Sequence, residues 1–306
     1  MRLALLGLGL IGGSVARAAH TAGWHVAAWT PSGEGPRTAL ARGAIDVAAA
    51  TLREAVHDAD LVVLAAPPAA CLDLLAALAA DGIALRGDVV ISDVASTKVL
   101  LVERAAALGL RYVGGHPMAG RETSGFDAGS ADLFRDRPWV VVPSLAPDEA
   151  AVARVEELAR ACGAHPVRMT AAEHDAAVAA ISHLPLVVAA ALVEAVAGRP
   201  GEPVPASWPM AAALAASGWA GATRLARGDP AMGAGIAATN AGPLAAAVRA
   251  VRDRLADWLL LLEAGQDEAG PGAAGTGAGG PGAGGPDEAA LRERFAAARD
   301  RLEGSG

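Results

Sequence analysis

Short apolar runs closed by turn residues alternate with alanine- and leucine-rich stretches through the first half of the chain. Residues 3–6 form one such run, stopped by Gly7, and the segment SVARAAHTAG that follows has helix periodicity and closes at Gly23. The same reading predicts strands over 24–29, over 60–66 (DLVVLAA, stopped by Pro67 and Pro68) and over 88–92. A further short strand closes at Tyr112 and Val113, and helices are expected over 69–80 and 97–108. Strand and helix in alternation predict an α/β fold with a mainly parallel, doubly wound sheet. Runs over 139–142 and 167–169 extend the β-rich part on either side of a helix over 147–162. From 171 to about 263 β-branched runs vanish and the helical periods lengthen, so a second, all-helical domain is expected. The division falls at residues 1–168 and 169–306. Residues 265–286 are almost entirely Gly, Ala and Pro and predict a flexible segment, and a charged amphipathic helix follows over 287–303.

Composition narrows the classes. A chain of 306 residues can hold two apolar cores, and its net charge of −8 is spread over mixed-sign segments, without the clustered basic face that attracts nucleic acid. Cys71 and Cys162 have no metal-ligand spacing, so no metal is expected. Met1 leads directly into a strand, which fits a cytoplasmic protein. Residues 176–193 approach the ~20 apolar residues that span a bilayer. His183 and Pro185 sit inside that run, which suits a buried helix of a soluble domain or dimer better than a membrane span. Lys98 is the sole lysine of an arginine-rich chain.

The run Gly7, Leu8, Gly9, Leu10, Ile11, Gly12 reads GxGxxG between a strand and a helix. The first glycine permits the turn, the second lets a pyrophosphate approach the backbone, and the third lets helix and strand pack closely. A Rossmann-type dinucleotide site is expected there, flanked by Thr30 at the end of the second strand and by Ala66 and Pro67 at the end of the next. Thr30 stands where an acidic residue usually binds the adenosine ribose; with Ser32 and Arg37 close by, this leaves NADP open, while Glu34 keeps NAD open.

Ser96 and His116 follow consecutive predicted parallel strands, which places both at the carboxyl edge of the sheet where ligands of such folds bind. A neutral imidazole there can take a proton from a substrate hydroxyl as hydride leaves the same carbon, and a serine hydroxyl can orient that group. On one continuous helix His174 and His183, nine residues apart, would face opposite sides, so His183 is favoured as the pocket residue and His174 with Asp175 is left open between site and scaffold.

The stretches GLGLIGGS, DVASTK, GGHPMAGRETSGF, the HD of His174–Asp175 with SHLP, and TRLARGDP, in this order, resemble the prephenate and arogenate dehydrogenase family. The resemblance implies an amino-terminal Rossmann domain, a carboxyl-terminal helical dimerisation domain, a homodimer, and oxidative decarboxylation of a cyclohexadienol. It implies that His116 is the catalytic histidine with Ser96 beside it, that Arg224 holds a substrate carboxylate, that His183 reaches the site from the helical domain, and that Glu122 lies near the pocket. Arg121 beside it suits prephenate, whose side chain carries only negative charge. Gly221 and Gly233 depart from residues common in the family, leaving arogenate open. The expectation is prephenate oxidation with NAD.

Two rivals differ in kind. A β-hydroxyacid dehydrogenase shares the layout but needs a lysine in or near the helical half, and Lys98 lies in the other half. A regulator that senses NADP without turnover would keep the glycine turn but has no need of His116.

Overall fold

The computed structural model describes residues 1–121, 123, 125–146, 148–264 and 286–304. It divides into two compact units, Met1–Leu244 and Ala245–Gly306. The first unit opens with β1 (Arg2–Leu6), α1 (Leu10–Thr21), β2 (His25–Trp29), α2 (Glu34–Ala41), β3 (Val47–Ala48), α3 (Leu52–Val56), β4 (Leu61–Leu64), α4 (Pro68–Leu78), β5 (Val90–Asp93) and α5 (Val99–Ala107). The five strands form one parallel sheet in the order β3-β2-β1-β4-β5. Period-two alternation sorts its side chains: Leu3, Leu5, Leu61 and Val63 enter the core on one face, and Ala4, Leu6, Val62 and Leu64 the core on the other. Burial on both faces explains why the strands read as continuous apolar runs. The elements α2, β3 and α3 had no clear signature, being only eight, two and five residues long.

A second, three-stranded sheet follows, ordered β6-β7-β8: β6 (Gly114–Pro117), β7 (Pro138–Val142), then α6 (Glu149–Ala161) and β8 (His165–Arg168). Here the sequence expectation needs correcting. Tyr112 makes only an isolated parallel bridge to Ile91, and His116 does not follow a parallel strand but lies within β6, paired antiparallel to β7 with Val140 opposite. Two glycines hid this strand, since they carry no side-chain pattern.

The chain then becomes helical: α7 (Ala171–Val178), α8 (Leu184–Ala197), α9 (Trp208–Ala213), α10 (Ser217–Ala222), α11 (Pro230–Thr239) and α12 (Ala241–Glu263). A capping box between Thr170 and Glu173 starts α7, and a π turn over Ala179–His183 joins it to α8. The run Ala171–Ala197 is 27 residues long and holds an 18-residue window of mean hydropathy 2.2, enough by length and composition to cross a membrane. Yet His174, Asp175 and His183 in this run are all buried in the protein.

Within the second unit, α13 (Glu288–Glu303) is capped by Asp287. Phe295 packs on Trp258 with ring centroids 4.7 Å apart, and the Arg294 guanidinium stacks over the same indole at 4.6 Å. Most of the Gly/Ala/Pro segment lies outside the described residues.

Candidate active site

The glycine turn follows from three different steric demands. Gly7 has φ +116°, and a Cβ there would stand 2.2 Å from the Ala65 carbonyl oxygen; one on Gly12 would stand 2.4 Å from the Gly7 carbonyl oxygen. Both glycines are fixed by the protein itself. Gly9 is exposed, and nothing lies within 4 Å of where its Cβ would be. It caps α1 without any side-chain bond. That arrangement fits a dinucleotide pyrophosphate: backbone donors, the positive end of a helix, and room for close approach. Leu8 is buried, and Leu10 and Ile11 pack partly into the core, so this stretch offers a ligand its backbone. Thr30 ends the β2 segment half-buried, and its Oγ1 accepts the Gly33 N–H at 3.2 Å. A Cβ on Gly33 would meet Arg37 Nη1 at 2.8 Å, so the guanidinium lies over this turn. Ala66 and Pro67 sit at the exposed carboxyl edge beyond β4.

Asp93, at the end of β5, is a fully buried hub. Its carboxylate pairs with Lys98 and accepts the Tyr112 hydroxyl, together with the N–H groups of Ala95 at 2.7 Å and Gly115 at 3.3 Å. Burial first, and then the Asp93 charge, hold the Tyr112 phenol well above its ordinary range. This hub dictates the glycines ahead of His116: a Cβ on Gly115 would lie 2.5 Å from the Asp93 carbonyl oxygen, and one on Gly114 would lie 2.9 Å from Lys98 Cδ.

His116 thus stands over a buried ion pair. Its Nδ1 lies 2.8 Å from Nε2 of His174, whose Nδ1 lies 2.7 Å from Asp175 Oδ1. The same carboxylate accepts the first amides of α5, Lys98 N–H to Oδ1 at 2.7 Å and Val99 N–H to Oδ2 at 2.9 Å. Burial alone would raise the Asp175 carboxyl, but the bonds from His174, Val99 and Lys98 outweigh it and leave it below the usual value. Burial, with the positive charge of Lys98 and the neighbouring His174 and His183, drives His116 well below the ordinary imidazole value. At neutral pH the imidazole is therefore uncharged.

His183 is buried as well. Asn240 Nδ2 donates to the Asp175 carbonyl at 2.8 Å and lies 3.1 Å from His183 Nδ1, and the Thr97 and Thr239 hydroxyls meet at 2.9 Å. Burial lowers the His183 pKa, against the nearby Asp175 and the Ser96 backbone, which raise it. The π turn explains how both His174 and His183 turn inward: the wider turn changes the phase that a continuous α-helix would impose. Ser96 is half-buried in the β5–α5 loop, and Arg224 opens an exposed 3-10 turn after α10. Glu122 lies outside the described residues.

The segment after β6 returns to the glycine turn. Phe126 covers Gly13, where a Cβ would meet its ring at 2.8 Å, and Arg17 stacks over it at 4.2 Å. The Ser130 N–H donates to Ser14 Oγ at 3.0 Å. Sequence reasoning missed Tyr112 and Asn240, which are distant from their partners along the chain, and Asp93, whose pairing with the nearby Lys98 has no spacing signature; only the HD pair offered a signal for the contact with His116.

Fold and site define a nucleotide-binding chain in which His116, on the second sheet, meets the buried His174–Asp175 pair. Residues 15–168 match the domain described as prephenate dehydrogenase, nucleotide-binding domain, and residues 170–269 match prephenate dehydrogenase, dimerization domain. The chain belongs to the prephenate dehydrogenase family. It is 35% identical over 260 residues to prephenate dehydrogenase of Bacillus subtilis (strain 168), covering 83% of this chain and 66% of that protein. It is 36% identical over 200 residues to cyclohexadienyl dehydrogenase of Zymomonas mobilis, covering 64% of this chain and 67% of that one. The chain spans between about half and two-thirds of the curated relatives it matches. Synechocystis arogenate dehydrogenase superposes with TM-score 0.75 at 28% identity, covering 99% of this chain and 100% of that one. The fold is shared too by an A. aeolicus prephenate dehydrogenase in complex with hydroxyphenyl propionate and NAD+, with TM-score 0.80, 23% identity, and coverage of 99% and 98%.

Proposed function

We propose that the chain is a dehydrogenase that converts prephenate to 4-hydroxyphenylpyruvate and carbon dioxide with NAD. The observation that carries this reading is His116: an uncharged imidazole, tethered through Nδ1, in the segment that leads back onto the glycine turn. The backbone of Gly7–Gly12 would hold the pyrophosphate, and the bound nicotinamide supplies the hydride acceptor. His116 takes the proton of the ring hydroxyl as the carbon bearing it is oxidised, and Ser96 orients that hydroxyl. Loss of the ring carboxylate then leaves an aromatic product, which makes the step effectively irreversible. Arg224 serves as a planar clamp for a substrate carboxylate, and His183 lines the substrate end.

A homodimer through the helical segment belongs to the same reading. It is supported by the dimerization-domain match and by Ile181, 70% exposed on the apolar run of this single chain. A cytoplasmic location, no membrane and no nucleic-acid partner complete it. Arogenate is the second substrate reading, favoured by the full-length likeness to the Synechocystis enzyme, and NADP the second cofactor, favoured by Arg37 over the Thr30–Gly33 turn.

The test is absorbance at 340 nm with each substrate paired with each dinucleotide. Prephenate with NAD is expected to be fastest. Tight dinucleotide binding without reduction on either substrate would replace the enzyme by a sensor.

A further inference from the structure

We infer that His174 and Asp175 are positioning residues that keep a proton on Nδ1 of His116 and so leave the Nε2 lone pair free for the reacting hydroxyl. This rests on the reading of His116 as the base.

The argument is one of hydrogen-bond direction. An ionised Asp175 can only accept, so the Nδ1 of His174 that meets it at 2.7 Å is the donor. With a single proton on each ring, Nε2 of His174 must then accept. The 2.8 Å contact therefore requires an N–H at Nδ1 of His116. Two backbone amides, from Lys98 and Val99, hold the Asp175 carboxylate in place. It cannot swing away without leaving the start of α5 bare. The logic is that of a base whose tautomer is set by a carboxylate, here with a second imidazole between them.

The relay also answers the charge that forms. When Nε2 of His116 takes the hydroxyl proton, the ring becomes an imidazolium and its Nδ1–H bond to His174 strengthens, with Asp175 behind it. No proton need pass along the chain. Among the described residues the other groups around the ring are the Lys98 ammonium, His183 from the π turn, and Asp93, which Lys98 already pairs. Lys98 and His183 oppose the imidazolium, so among these residues Asp175, acting through His174, is the carboxylate aligned to favour it.

The test is long-range proton–nitrogen correlation on protein labelled at its seven histidines, with His116 assigned by His116→Asn. At mildly alkaline pH, Nδ1 of His116 is expected to be protonated and Nε2 bare. The proton on Nε2 instead would overturn the inference, whatever the activity. His174→Phe removes the acceptor: the tautomer should revert to the mixture seen in solution, and kcat should fall about 100-fold with dinucleotide affinity unchanged. His174→Gln, whose carbonyl oxygen can still accept from Nδ1, should restore most of both. Wild-type kcat and tautomer in the Phe variant would count against the relay. Should that variant fail to fold, the wild-type spectrum decides alone. A fully active His116→Asn would instead remove the base reading and leave the tautomer result standing.

Discussion

Asp93 and Lys98 close an ion pair wholly inside the protein, five residues apart in sequence and directly under the two glycines that precede His116. Removing one partner leaves the other charge buried, which typically costs about 3–5 kcal/mol. Lys98→Met should therefore lower stability to urea by that order, and Lys98→Met with Asp93→Asn should recover part of it. Equal stability of the single and double variants would mean that the pair is not coupled.

The same lysine also bears on the imidazole above it. Its charge is one cause of the depressed His116 pKa, so the acid limb of kcat/KM in the wild type should lie well below pH 6.5, and Lys98→Met should move it up. The stability effect has a definite sign. Between the lowered native pKa and the unfolded value near 6.5, the unfolded chain binds a proton that the native imidazole refuses. The stabilising contribution is complete above pH 6.5 and is lost as pH falls toward the native pKa. Urea midpoints across this window, compared between wild type and His116→Asn, check it.

Two glycines of the site should fail in different ways. Gly9→Ala meets open space, so folding should be unchanged while dinucleotide affinity falls at least tenfold, because the methyl occupies the approach of the phosphates. Gly115→Ala drives a methyl against the Asp93 carbonyl, so both stability and turnover should suffer. Thermal unfolding with and without dinucleotide separates the two.

If His116 is the base, His116→Asn should reduce kcat by about 10²–10⁴-fold with dinucleotide affinity nearly unchanged. Stopped-flow absorbance at 340 nm and cofactor titration give the two quantities independently.

Arg224→Lys keeps a positive charge but loses the planar fork. On the clamp reading, KM for the substrate should rise about tenfold or more, with kcat less affected. Unchanged KM would place Arg224 on the surface only.

The legible parts were those written in local order. β1 with its glycine turn, the alternation through α5, and the helical change after residue 170 each carry their cause within about twenty residues. The strand holding His116 did not, because Gly114 and Gly115 carry no pattern and are required by Asp93 and Lys98 folded beneath them. The phase of His174 against His183 was also unreadable, since a π turn leaves no mark in hydrophobic spacing. Asn240 meets His183 at the end of that turn and Asp175 ahead of it from 57 and 65 residues away, beyond the reach of any local rule.

Asp175 completes the start of a helix that precedes it by more than seventy residues. A fragment cut at residue 168 would retain the glycine turn yet leave the leading amides of α5 bare and the imidazole at 116 untethered. On the reading of His116 as the base, capacity to hold a nucleotide and competence to use it would be separable by where the polypeptide is severed, because the residues that orient the imidazole come from the second half.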